Sequence, residues 1–483
     1  MSTHSSIRVR AFIVAVALCT LFGMRAEAQA LKATILGRIT DSSGGAMPNA
    51  KVTVRNVDTG LNQSVTTDAQ GRYNIPDLDI GNYEAAAEMS GFKKITHQNV
   101  VLSVGSQIVI DFSMEVGATT QSVVVEGEVT QVDTTSSSVG TLVEPTQLRE
   151  LPLNGRNFTQ LMLLAPGVQQ SYLQGSAFSE RGYGYSISGS KVFGQEFLID
   201  NTDAVDFFGH GMGSGATGNS FGVDSLAEFQ LLTNTYSAQY GGNGGVLNAV
   251  SKTGTNELHG SAYEFLRNSA IQTRNYFDPA QKPPFRRNQF GFSLGGPIKK
   301  NKAFFFVNYE GLRQFLGVST LIHTPDQAAH QGYLPNSAGV ETPVISPGSA
   351  GLQSPSSCTA VYTAASNCLL GSIAPIVGLY PVATGTSAQG IGTYTVPNSQ
   401  VASENYLLAR FDYNFSEKDS LFVRYLRDYS QFTLQTSQVP LWPETDNTLS
   451  HIGTIEEKHI FSNNVINLVR FSFVRPGEPR IRS

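Results

Sequence analysis

Few side chains in this sequence are both reactive by type and grouped by spacing. The run Gly213-Ser-Gly-Ala-Thr-Gly218 satisfies G-x-G-x-x-G. A phosphate cradle needs a strand before that run and a helix opening after it, so that backbone N–H groups converge on the anion. Here Val205-Asp-Phe-Phe-Gly-His-Gly211 precedes it, and Asn219 stands where a P-loop would carry lysine. It reads as a loop. Asp68, Asp77 and Asp79 could together hold calcium, but aspartates at turns usually bond their own backbone, and the turn role is the expectation. The eight histidines lie outside any H-x-x-E-H or C-x-x-C pattern, and no G-x-S-x-G elbow occurs. No catalytic, cofactor or metal site is assigned, and an enzyme is not expected.

The totals narrow the class. The 483 residues are poor in charge (15%), carry a formal net charge of −5, and have no long Lys/Arg block, so the footprint of nucleic-acid binding is missing. Arg8 and Arg10 precede the apolar run Ala11 to Phe22, and Ala26-Glu27-Ala28 offers a small-x-small cleavage site, so residues 1–28 read as a signal peptide. That run is shorter than the ~20 residues of a permanent helical span. Cleavage would remove Cys19, three arginines and one glutamate, taking the formal charge to −7. Only Cys358 and Cys368 would then remain, and in an exported chain such a pair reads as a loop-closing disulfide.

In chain order the sequence is mainly β. Residues 32–115 read as a small β-sandwich of short strands with regular turn signals. The set Gly37, Asp41, Pro48, Thr67-Asp-Ala-Gln-Gly-Arg-Tyr73, Gly81-Asn-Tyr83 and Gly91-Phe92 resembles the carboxypeptidase regulatory-like domain, which implies a transthyretin-like or carbohydrate-binding-like sandwich. No peptidase or sugar site follows from these residues. Tyr73 and Tyr83 are expected to pack in or edge the sandwich. Residues 116–138 are a Thr/Ser/Val-rich linker.

Residues 139–254 read as an α+β unit with two short helices. One lies in Pro145 to Pro152; the other, capped by Asn154 or Asn157, is stopped by Pro166-Gly167. Leu151-Pro-Leu-Asn-Gly-Arg-Asn-Phe158, Arg181-Gly182 and Leu198-Ile-Asp-Asn201, then Tyr236-Ser-Ala-Gln-Tyr-Gly-Gly, Gly244-Gly-Val-Leu-Asn-Ala-Val and Ser251-Lys-Thr-Gly-Thr-Asn256, resemble the plug of TonB-dependent outer-membrane receptors of the Oar-like kind. Asp200-Asn201 departs from the Asp-Gly common there, although Asn tolerates the same left-handed turn.

From 258 to 483 the chain alternates. Tyr263 and Phe265 oppose Ala262 and Glu264; Phe290, Phe292 and Leu294 oppose Gln289, Gly291 and Ser293. Leu407, Ala409, Phe411 and Tyr413 oppose Leu408, Arg410 and Asp412; Val469, Phe471 and Phe473 oppose Arg470 and Ser472. Such faces suit a sandwich core or a membrane barrel alike. Connection lengths favour the barrel: they run long and short in turn, the longest (315–404) holding both cysteines, as in outer-membrane barrels with long outer loops and tight periplasmic turns. The expectation is about seven strands of an incomplete antiparallel transmembrane barrel whose apolar faces meet lipid. Because seven strands cannot close around a plug, the sequence is expected to be the N-terminal portion of a longer receptor.

The resemblance implies import of a solute, a carbohydrate or a peptide, across the outer membrane. It implies as partners outer-membrane lipid and a TonB-type energy-transducing protein that grips an extended strand of the linker. Val123, Val124 and Val125 are the candidates for that strand, since a short β-former can add to another sheet through backbone bonds; the last strand of the sandwich is the open alternative. The rival function is a secreted, carbohydrate-binding or adhesive β-protein, which would be released into the medium rather than pelleting with the outer membrane. For the cysteines, the intact mass should rise by two hydrogens on reduction, and an unchanged mass would refute the bridge.

Overall fold

The computed structural model describes residues 32–117, 122–125, 138–151, 153–171, 184–191, 194–205, 214, 216, 222–236, 240, 244–274, 282–344, 357–385, 387–435, 443–462, 465–475 and 480–481. The signal peptide and Arg181-Gly182 lie outside them, as do most of Gly213–Gly218 and of the linker.

Alternating Ile, Val and Ala build the N-terminal sandwich. One sheet joins β4 (Arg72–Leu78), β1 (Ala33–Asp41) and β7 (Gln107–Val109), with β8 (Phe112–Met114) also on β1. The other runs β3 (Asn62–Thr66), β2 (Lys51–Asn56), β5 (Gly81–Glu88), β6 (Lys94–Leu102), β9 (Ser122–Val125). Ile35, Ile39, Val52, Val54, Ile75 and Phe112 fill the space between the sheets. The expected turn role of Asp68 is what the structure contains: its carboxylate accepts the Gln70 and Arg72 backbone N–H groups at 2.9 and 2.8 Å. Tyr73 and Tyr83 are buried, each donating its hydroxyl to a backbone carbonyl, of Ile110 and Asp79.

The middle unit is a mixed sheet in the order β10 (Val139–Val143), β15 (Leu226–Asn234), β16 (Val246–Ser251), β13 (Glu196–Ile199), β14 (Thr202–Asp203), with β11 (Val168–Ser171) and β12 (Gly184–Ile187) forming a separate pair. Helix α1 (Pro145–Glu150) starts on a Glu144/Gln147 capping box with proline in its first turn. The second helical segment, Phe158–Leu164, is 3-10; Asn157, not Asn154, caps it by accepting the Thr159 N–H. Asp200 and Asn201 take φ of 44° and 61°, the left-handed turn expected of them.

The C-terminal half is one antiparallel sheet in chain order. Its long strands are β17 (His259–Asn268), β18 (Phe285–Lys299) and β19 (Ala303–Pro325), then, beyond the short β20 (Tyr333–Pro335), β21 (Glu341–Pro343) and β22 (Ser387–Ala388), β23 (Ile391–Asn414), β24 (Asp419–Gln435), β25 (Pro443–Ser462) and β26 (Val465–Arg475). The stub β27 (Arg480–Ile481) returns to β25. The inward face packs on the middle unit through Phe306, Leu408, Leu426 and Ile452. The outward face carries Phe292, Phe415, Val469, Phe473 and Phe471, the last 69% exposed.

Two expectations are corrected. The 315–404 connection is shorter, because β19 and β23 stay paired from Leu316↔Gln400 out to Pro325↔Ile391. Residues there such as Thr324, Thr393 and Thr395 lose the apolar alternation, but backbone pairing does not require it. Within what remains, Cys358 and Cys368 are disulfide-bonded, with Cα atoms 4.4 Å apart. In β17 the aromatic face points inward rather than to lipid: Tyr263 lies under the Arg156 guanidinium, 4.1 Å from ring centroid to Cζ, and Leu266 is on the outward side. Its cross-strand partner is Gly291, where any Cβ would come within 2.6 Å of the Tyr263 hydroxyl.

Chain crossing from middle unit to sheet requires another close approach. A Cβ at Gly254 would lie 2.3 Å from the Phe305 carbonyl oxygen. The sandwich meets the middle unit at Glu228, which accepts the Val104 N–H while only 4% exposed. Burial pushes the Glu228 carboxyl up to about 7; the Val104 N–H opposes the shift and nearby Glu144 adds to it. The folded state therefore retains a proton that the unfolded chain releases near 4.5, so stability is greatest below that pH and falls until about pH 7. Glu228→Gln should flatten the loss of about 1–3 kcal/mol between pH 5 and 8; an unchanged pH slope in urea unfolding would show that Glu228 is not its source.

Candidate functional site

Antiparallel registry stacks the inward residues of β19, β23, β24, β25 and β26 into rows. One row reads Phe306, Arg410, Arg424, Thr454, Ser472; the next, toward the short turns, reads Phe304, Asp412, Phe422, Glu456, Arg470. In the opposite direction lies an apolar row, Leu408, Leu426, Ile452, Val474, and beyond it Glu310, Tyr406, Asp428, Ser450. Arg410 and Arg424 are thus directly opposed like charges, which destabilises a strand pair.

The middle unit supplies the missing anion. Asp200, on the left-handed turn after β13, ion-pairs with Arg424 and lies 3.6 Å from Arg410. Its carboxylate also accepts the Ser251 backbone N–H at 2.9 Å and hydroxyl at 2.7 Å. Burial alone would raise the Asp200 carboxyl; Arg424, Arg410 and the Ser251 bonds outweigh it and hold the group below the usual carboxylate range. Arg424 is fully buried and also donates to the Ile199 carbonyl and the Thr454 hydroxyl, at 3.0 and 2.8 Å. Arg410 is shared with Asp412 at 2.8 Å.

A second seat lies toward the long connections. Arg156, just before the Asn157 cap, bonds Asp224 at 2.8 Å and Glu310 of the sheet at 3.4 Å while stacking on Tyr263. Neutral bonds accompany each seat: Tyr406 to Ser225 at 2.9 Å in the Glu310 row, and Thr202 with Thr454 and Ser472 at 2.8 and 3.0 Å in the Arg424 row. From the interrupted glycine-rich run, Ser214 donates to Glu404 at 2.8 Å.

The sandwich closes the short-turn rim. Lys32 lies 3.1 Å from Asp79 and 3.5 Å from Glu456, and Lys458 lies 3.0 Å from Asp77. The aspartates considered for calcium are therefore a turn former and two lysine partners. Val123–Val125 pair in parallel with β6 as the outermost strand of the sandwich sheet, the alternative left open by the sequence, with Val123 and Val124 exposed. Asp200 and Asn201 are the sequence-derived landmarks that fall at the seat. Arg156 and Ser251 lie inside the motifs quoted for the plug resemblance, with no role given to either; Arg424 was not named, and the signal available for it was an arginine at an inward position of a strand.

Replacing Asp200 by Asn keeps the shape but leaves Arg424 without its anion, facing an Arg410 that keeps only Asp412. Breaking a buried pair in this way costs about 3–5 kcal/mol. Asp200→Asn should lower the unfolding midpoint and speed proteolysis of the middle unit, and Asp200→Asn with Arg424→Gln should recover part of the loss. Wild-type stability in the single variant would show that the ion pair does not seat the unit.

Residues 250–482 match the family described as outer membrane beta barrel domain, and residues 34–115 match the carboxypeptidase regulatory-like domain. The TonB-dependent transporter Oar of Myxococcus xanthus is 28% identical over 314 residues, covering 61% of this chain; the chain spans 28% of that relative's length. Among solved structures, the outer membrane transporter YddB from Escherichia coli aligns with a TM-score of 0.42 at 13% identity, over 70% of this chain and 39% of that one. A ferric enterobactin receptor from Pseudomonas aeruginosa in complex with enterobactin aligns with a TM-score of 0.41 at 14% identity, over 71% and 41%. Residues 34–115 are thus a carboxypeptidase regulatory-like domain and residues 250–482 an outer membrane beta barrel domain, in a chain similar to the TonB-dependent transporter Oar.

Proposed function

We propose that this chain serves TonB-dependent import of a solute across the outer membrane, with residues 139–254 as a plug that a periplasmic energy-transducing protein unseats. The observation that carries this reading is the Asp200 seat: a unit held against the barrel wall by ion pairs and hydroxyl contacts can be withdrawn and reseated without unfolding the wall. The short-turn rim, where the sandwich docks, is then periplasmic, and the long connections are extracellular.

The grip is assigned to Val123–Val125. Among the described residues β9 is bonded on one side, to β6, and its other edge is open to an added strand. Pulling there acts on the chain that enters β10 of the plug. A photo-crosslinker at Val124 in cells should capture a TonB-type protein, and capture should fall at least about tenfold with proline at 123 or 125, because proline removes the N–H that strand addition uses. Capture that is absent, or indifferent to proline, would assign the grip elsewhere. The solute, of carbohydrate or peptide class, is expected at the extracellular side of the plug and the long connections.

A further inference from the structure

Strand pairing fixes what the outer face of the wall carries at its short-turn end. Phe422, Glu456 and Lys458 point inward there, so Asp419, Leu421, Glu457 and His459 lie on the outward face. Over the next two rows toward the long connections that face is apolar or aromatic: Val423, Ile455 and Phe471, then Tyr425, Gly453 and Phe473. Glu457 interrupts the band. Its directly opposed partners are Leu421 on β24 and Val469 on β26, it is half-buried, and among the described residues it makes no ion pair. A carboxylate placed on an apolar face without a positive partner is costly, so the position calls for a cation.

Two further ligand groups stand beside it. His459 follows two positions along the same strand, and Asp419 is the direct cross-strand partner of His459. Among the described residues these three form the group in which a ring nitrogen and two carboxylate oxygens all lie within 4.8 Å of one another. The supporting contacts are in place. One Asp419 oxygen accepts the Ser416 hydroxyl at 2.5 Å, which leaves the other aimed at Nδ1 of His459, and the His459 ring stands edge-on to Phe461 with centroids 4.3 Å apart. Outer partners of this kind fix the orientation of metal ligands.

One imidazole nitrogen, two carboxylates and an open side suit zinc, which takes four nitrogen or oxygen ligands at about 2.0–2.2 Å. Atoms sharing one tetrahedral zinc lie roughly 3.3 Å apart, so Asp419 and His459, hydrogen-bonded to each other here, separate slightly to admit the ion. Calcium asks for about six to eight oxygens, more than these side chains supply.

We propose that Asp419, Glu457 and His459 form a zinc-binding site on the outer face of the wall, with water as the fourth ligand. The ion supplies the charge that Glu457 lacks and ties β24 to β25. Its ligands bracket Lys458, whose side chain crosses to the inner face and pairs with Asp77 of the sandwich at 3.0 Å. Zinc therefore stiffens the strand segment on which the sandwich docks. The site needs neither a solute nor transport, so it stands or falls apart from the proposed import.

Zinc is the probe, added to the full chain, untagged, stripped with chelator and held in detergent at about pH 7.5, where histidine is neutral. Equilibrium dialysis should find one zinc per chain, and an equal concentration of calcium should not displace it. Glu457→Gln and His459→Gln should each weaken zinc binding at least about tenfold, because each removes one of three protein ligands. His451→Gln removes an outward histidine of the same strand that lies outside the group, and should leave binding unchanged. Zinc should also raise the unfolding midpoint of the wild type and leave that of the two ligand variants unmoved. Three results overturn the proposal: no zinc retained by the wild-type chain, undiminished binding in either folded ligand variant, or an equal loss in His451→Gln.

Discussion

Two arginines that face each other across adjacent strands set the terms for the rest of this molecule. Arg410 and Arg424 occupy opposed inward positions, and Arg424 has no exposed side-chain surface. A barrel wall with that pair and no anion would hold buried like charges. Asp412 serves only Arg410, so the requirement falls on Asp200, which enters from another part of the chain. The backbone follows from this. Asp200 reaches both guanidinium groups from a left-handed turn, and Ser251 at the end of β16 fixes the carboxylate with two bonds. Wall and middle unit are each incomplete electrostatically, and complete together.

On the proposed transport role, that arrangement suits a contact that has to open. Apolar interfaces lose free energy with each square ångström exposed, whereas ion pairs and hydroxyls regain much of theirs from water. Among the described residues the apolar contact includes a belt through Phe306, Leu408, Leu426 and Ile452 and a smaller cluster of Ala216 with Leu312, Ala402 and Phe432, and polar seats flank the belt, Asp200 toward the short turns and Arg156 toward the long connections. Arg156 adds orientation, because its guanidinium is fixed by two carboxylates and a ring at the same time.

Much of the architecture was legible because β periodicity depends on position alone. Phe411 and Tyr413 against Arg410 and Asp412 already stated which residues face inward, and the alternation of connection lengths stated that the sheet returns in hairpins. Legibility ended where a feature is not periodic. Strands β19 and β23 continue through threonine-rich segments because backbone pairing outlasts the apolar pattern. The inward turn of Tyr263 is set by Arg156, more than a hundred positions away, and by the absence of a side chain at Gly291. Asp200 could be marked as a turn landmark from its neighbours, but its role depends on the register that aligns Arg424 with Arg410, and pairing register is not written at any single position.

The position of the sandwich follows from the same electrostatics. Glu456 sits in the row beyond the arginines, held by Arg470, and still has an oxygen directed at the rim, where Lys32 from the start of the sandwich meets it. Lys458, two residues along the same strand, takes Asp77. The chain of pairs from Asp200 through Arg410 and Asp412, and from Arg470 through Glu456 to Lys32, places charged contacts of the middle unit and the sandwich on neighbouring rows of one wall. Movement of either unit changes the field felt by the other at distances where buried charges are poorly screened. The sandwich is therefore better described as a third partner of the seat than as a domain hung on a linker. The chain that leaves its edge strand continues to β10 of the middle unit, so on the proposed role a pull on that edge loads both units at once.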